Sequence, residues 1–125
     1  MASMTCENLF PQSDWRRCES SPEDLAGMDV AVATRILFQI DLINAFERAV
    51  MKLKDAECVH GPIHISIGQE AVAAATMAAL TSADRITGSH RAHHHFLAKA
   101  LNHVTPAEWN PANGDAPDAV REVVR

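Results

Sequence analysis

Ile36, Ile40, Ile43, Phe46, Val50 and Leu53 recur at steps of three and four, the period of a helix face rather than of a strand. That spacing predicts one long amphipathic helix over residues 29–55, with Asp29 as its N-cap. Leu37 and Leu42 widen the apolar stripe, so the helix is expected to be covered on more than one side. Arg35, Glu47, Arg48, Lys52 and Lys54 are expected on its wetter side.

Composition supports a packed core around such a helix. Of 125 residues, 47% are hydrophobic and 22% charged, the balance of a globular chain with room for one domain. A net charge of −5 gives no basic field for nucleic acid, although it leaves space for a local cationic pocket. The longest nearly apolar run, residues 71–80, is about half the roughly 20 residues that a helix needs to cross a bilayer, so no membrane is expected. Glu7, Asp14, Arg16, Arg17 and Glu19 interrupt the first twenty residues, which lack the apolar stretch of a secretory signal. Cys6, Cys18 and Cys58 are odd in number and have no metal-ligand spacing. Reduced thiols in a cytoplasmic protein are the expectation.

The remaining pattern reads as short helices and turns. Residues 1–20 lack periodicity and read as a flexible leader; Leu9, Phe10 and Trp15 are its apolar members. Ser21, Pro22, Glu23 and Asp24 form a helix start, and Gly27 ends that turn. Gly61-Pro62 punctuates a break over residues 58–65. Ser66 and Gln69 fit a capping box for an alanine-rich helix over residues 69–80. Residues 85–89 read as a short strand. A helix then begins near Ser89 or His90 and reaches Leu101, with Phe96, Leu97, Ala100 and Leu101 as its apolar face. Pro117 opens a last helix that meets no C-cap before Arg125. The fold class is therefore mainly α with one or two short strands. A lone strand and an uncapped helix suggest a chain that is incomplete or that finishes its fold on a partner.

Four of the seven histidines fall together: His90, His93, His94 and His95. On one helix, His90, His93 and His94 would share a side, which makes a His-cluster metal binder one reading and a packed or solvated cluster another. Ser89, His90 and Arg91 follow Gly88 at a predicted helix start, where backbone N–H groups, a guanidinium and an imidazole would suit a phosphate. Alternatively, Arg91 pairs with Asp84.

Two segments resemble one family. Gly61-Pro62-Ile63-His64-Ile65-Ser66-Ile67-Gly68-Gln69-Glu70-Ala71 and the stretch from Ala83 through Ser89-His90-Arg91-Ala92-His93-His94-His95 resemble motifs of the alpha part of thiamine-diphosphate-dependent 2-oxo acid dehydrogenase E1 components, with the pyruvate and acetoin branches nearest. The likeness covers roughly residues 29–104. It implies that His64 lines the mouth of the cofactor site as a catalytic residue, that His64, His90 and Arg91 bind thiamine diphosphate, and that His93 and His95 stand behind them. Gln69 and Glu70 match the signature, with a helix cap as their plainer role. The implied reaction is decarboxylation of a 2-oxo acid with acyl transfer to a lipoyl carrier, or cleavage of acetoin. Implied partners are an E1 beta part, separate or fused, a lipoyl-bearing E2 component and further copies in an oligomer.

The departures are specific. His94 stands where the motif has Gly. The family's Gly-Asp-Gly…Asn motif for Mg²⁺ is missing, since Gly114-Asp115 runs on into Ala116-Pro117. The family's alpha part is also several times longer. The expectation is thus an N-terminal fragment of an α/β thiamine-diphosphate-binding fold over residues 21–125, with no metal ligands of its own and inactive alone. A non-catalytic helical module that docks through residues 36–53 is a further alternative.

Overall fold

The first described helix is set by local chemistry. The Ser21 hydroxyl accepts from the Asp24 backbone N–H, and the Asp24 carboxylate takes the Ser21 backbone N–H at 2.8 Å. Helix α1 (Pro22–Ala26) starts there and ends at Gly27. The structure, a computed structural model, describes residues 19–125; of the expected leader, residues 1–18 lie outside the described residues, and so do Cys6 and Cys18. Cys58 is exposed with a free thiol.

Helix α2 (Val30–Asp55) is the predicted long helix, and the Asp29 carboxylate caps it by accepting from the N–H groups of Ala31 and Val32. Helix α3 (Glu70–Ala78) and helix α4 (His93–Val104) pack on it and on each other; helix α5 (Asp118–Val123) closes against α4. The core joins Ile43 of α2, Ala73 and Met77 of α3, Leu97, Ala98 and Leu101 of α4, and Val120 of α5. Ala73 and Ala74 are fully buried, so the small side chains of α3 are what let it lie close to its neighbours. Two polar clamps cross the same seams. Asn44 Nδ2 donates to Glu70 Oε1 at 2.6 Å between α2 and α3, and Gln39 Nε2 donates to Asn102 Oδ1 at 2.5 Å between α2 and α4. A 3₁₀ turn (Pro111–Asn113) and its flanking loops return to α2, where Trp109 meets Phe38 edge-on with ring centroids 5.1 Å apart.

The described residues are mainly helical, as expected, and contain no strand. The strand expected over residues 85–89 is thereby corrected. No backbone N–H from Arg85 to Ser89 bonds to another main-chain segment among the described residues, so no ladder forms. Other corrections follow from packing. Phe96 is 69% exposed, while Ala98 takes its expected place in the core. Leu37 is also exposed, so α2 is not covered on that side among the described residues. Ile43 is in the core and Phe46 packs against it, whereas Leu53, expected on the same stripe, is 48% exposed. Ser66 caps nothing with its side chain: α3 begins at Glu70, and the Glu70 carboxylate itself accepts from the Gly68 N–H at 2.8 Å. Gly68 sits at φ +92°, which explains why glycine precedes this helix. Helix α4 begins at His93, three residues later than the latest predicted start.

Candidate functional site

Two loops meet at the C-terminal half of α2. Lys54 straps the first of them, donating from Nζ to the carbonyls of Gly61 at 2.8 Å and Val59 at 3.4 Å. This holds the segment that carries His64. The second loop is the tight turn into α4. A Cβ on Gly88 would stand 2.5 Å from Ala92 Cβ, so only glycine lets this turn close as it does. Ser89 Oγ accepts from the Arg91 N–H within the turn at 3.3 Å.

His64 and His90 therefore face each other edge-on, ring centroids 4.5 Å apart and planes at 77°. Both line an open recess of about 310 Å³, with Phe46 and Val50 of α2 and with His93, the first residue of α4. The recess is at the small end of ligand pockets, roughly 300–1,000 Å³, so it suits one end of a larger molecule.

Glu47 touches the back of this recess through His93. It is completely buried, although the sequence pattern places it on the wetter side of α2. Its Oε1 lies 2.7 Å from His93 Nδ1 and accepts the Ser66 hydroxyl, while its Oε2 has no protein partner. Ser66 is fully buried and His93 is about one-third exposed. Thus α2, the loop before α3 and the start of α4 are pinned together by one carboxylate oxygen. A signal for this was present: Glu47 follows Ile43 by four residues and Phe46 by one, which puts it on the apolar stripe.

His94 lies beside this network and is buried, with no partner on Nδ1; its ring stacks on His95 at 4.1 Å between centroids. Burial, then the neighbouring His95 charge, hold its pKa below the ordinary imidazole value, against the opposing pull of the Arg91 backbone and Glu47. Burial also works against the Glu70 carboxylate, yet hydrogen bonds from Asn44, its own backbone and Gly68, with the His94 charge, outweigh it and leave Glu70 below the usual carboxylate range.

Of the sequence-predicted site residues, His64 and His90 come together, and His93 joins them. Arg91 is exposed and is not among the residues lining the recess. Nor is it held by Asp84, whose carboxylate takes the Thr81 backbone N–H and hydroxyl, each at 2.7 Å. His94 and His95 pack against each other away from the recess lining. Among the described residues no three His, Cys, Asp or Glu side chains converge as metal ligands, which removes the geometric basis of the His-cluster metal reading. No described helix is long and apolar enough to cross a membrane.

The donor set suits the anionic end of thiamine diphosphate in part. Two imidazoles can offer N–H groups to phosphate oxygens, and Arg91 stands one residue from His90 on the solvent side. Carboxylate ligands for an accompanying Mg²⁺ are not gathered there among the described residues. Compared with the profiles of protein families, with curated proteins and with solved structures, the chain finds no significant match. The fold and site together define a helical protein with a histidine-lined recess backed by a buried carboxylate–imidazole–hydroxyl network.

Proposed function

We propose that this chain is the cofactor-facing, N-terminal part of an alpha-type E1 component of a thiamine-diphosphate-dependent 2-oxo acid dehydrogenase, acting on pyruvate, another 2-oxo acid or acetoin. The observation that carries the reading is the meeting of His64 and His90. They come from the two separate motifs of the resemblance, yet their rings lie 4.5 Å apart at one recess. The backbone N–H groups of residues 85–89 have no backbone partner among the described residues, which also suits a segment completed by a sheet from elsewhere.

In this reading His64 and His90 donate hydrogen bonds to the diphosphate, and Arg91 adds charge from the solvent side. When bound, the cofactor supplies the nucleophilic carbon for cleavage next to the carbonyl; this chain binds and orients its anionic end. Mg²⁺ ligands, a beta part and a lipoyl-bearing E2 component complete the proposal, as does an oligomeric, cytoplasmic assembly. Because this chain brings only part of the donor set, cofactor binding by the chain alone is weak, and turnover is absent.

The test is a side-chain NMR titration of the 125-residue protein with thiamine diphosphate and Mg²⁺. The His64 and His90 ring resonances should move together, with a dissociation constant on the order of 1 mM. Exposed charge pairs contribute about 0.2–1 kcal/mol, so Arg91→Ala should weaken binding less than about sixfold. Ring resonances of His64 and His90 that stay fixed up to about 10 mM cofactor sink the reading.

A further inference from the structure

We propose that Glu47 is a positioning residue, which holds His93 as the Nδ1–H tautomer so that the Nε2 lone pair of His93 faces the recess and accepts a hydrogen bond from an N–H or O–H group of the bound molecule. Three observations converge on this role.

First, the contact is short and directed: His93 Nδ1 stands 2.7 Å from Glu47 Oε1. A carboxylate only accepts, so the ring nitrogen facing it must carry the proton. Second, the carboxylate cannot turn away to water. It is fully buried and is fixed from a second side by the Ser66 hydroxyl, which is itself fully buried. Third, His93 lines the recess and keeps about one-third of its side chain exposed. The two ring nitrogens of an imidazole diverge. With Nδ1 turned to the buried carboxylate, Nε2 is on the open side. The partner of one ring nitrogen sets what the other can do.

The chemical consequence is a division of labour within one recess. His64 and His90 suit an anion, whereas His93 suits a donor. The ligand class is therefore a small organic molecule that carries an amine or hydroxyl group close to an anionic group, rather than a bare anion. In thiamine diphosphate the amino group lies on the ring remote from the diphosphate, so this ligand class follows from the recess alone and stands apart from the proposed function. The tautomer itself requires no ligand.

Long-range ¹H–¹⁵N correlation spectra of the labelled full chain, recorded near pH 8.5, above the ordinary imidazole range of about 6.5, read the tautomer of each histidine directly. His93 is expected as Nδ1–H, opposite to the preference of free histidine. Glu47→Gln offers a carboxamide that can donate as well as accept, so the Nδ1–H population should fall. Ser66→Ala leaves the carboxylate in place and should leave the tautomer unchanged. An Nε2–H tautomer for His93 in the unaltered protein overturns the proposal even where neither variant folds. So does a folded Glu47→Gln protein whose His93 tautomer is unchanged. O-Phosphoethanolamine, whose amine stands two carbons from its phosphate, and inorganic phosphate then serve as probes. The first should move His93 Nε2, and the second should leave it in place while moving His64 and His90. Equal movement of Nε2 by both refutes the donor-ligand half. No response of His93 Nε2 to either probe, with the Nδ1–H tautomer intact, refutes the donor-ligand half and supports the positioning role.

Discussion

Removing the Glu47 carboxylate should cost more than removing a wet-face charge, and the cost should depend on Ser66. In Glu47→Leu the fully buried Ser66 hydroxyl loses its acceptor and cannot reach water, a penalty of about 1–3 kcal/mol. His93 is partly exposed and rehydrates, so it adds little. The lost carboxylate also relieves an oxygen that had no partner, which keeps the net loss to roughly 1–3 kcal/mol. Ser66→Ala alone removes one charge-assisted bond and should cost about 1–2 kcal/mol. The double variant replaces both partners by apolar groups and should lose little beyond the larger single loss. The coupling is then about 1–2 kcal/mol, well above the roughly 0.5 kcal/mol within which independent sites add. Urea unfolding followed by far-UV circular dichroism at neutral pH gives all four corners. Against a total stability of about 5–15 kcal/mol, each step is measurable. Single losses that simply add would refute the claim that the buried carboxylate and hydroxyl depend on each other.

Leu101→Ala should destabilise by about 2–5 kcal/mol, because Leu101 is fully buried where α4 joins the core; a loss under 1 kcal/mol in the same denaturation assay would show that the site collapses freely. Gly88→Ala should cost about 1–3 kcal/mol and weaken the His64–His90 ring contact seen by NMR, since the new methyl would meet Ala92 Cβ at 2.5 Å; an unchanged melting temperature and unchanged ring shifts would argue that the turn has slack. His94 and Glu70 both have folded pKa values below their ordinary 6.5 and 4.5, so the folded state binds fewer protons than the unfolded chain. Their contribution is complete above those ordinary values and is lost on acidification, first below about pH 6.5 through His94 and then below about pH 4.5 through Glu70. Calorimetric melting temperatures should therefore fall as pH drops from 7 to 4, and His94→Phe should flatten the upper part of that fall; a melting temperature that rises between pH 6.5 and 5.5 contradicts the sign.

Local rules were legible in the sequence wherever neighbouring residues satisfy one another. The Ser21–Asp24 helix start, the Asp29 cap and the extent of the long helix needed no distant partner, and each formed where the pattern placed it. The same rules misplaced the start of α4. A nearby serine suggests a cap at Ser89, but its hydroxyl serves a turn instead, and the helix waits for His93. They also assigned Ser66 to a helix cap, because a sequence window does not reveal that a carboxylate from another helix competes for its hydroxyl.

What the sequence alone determined, then, is a mainly helical chain built on α2, together with two histidine-bearing segments that flank the alanine-rich helix. Periodicity and capping are short-range, so they survive any arrangement of the rest. Only the tertiary structure decided that His64 and His90 share a recess, that Arg91 stays outside its lining, and that Glu47 is buried against Ser66 and His93. Those outcomes depend on which faces of α2, α3 and α4 meet. A charged residue on an apolar stripe is buried or solvated according to the partners that other elements bring to it, and no spacing within one helix contains that information.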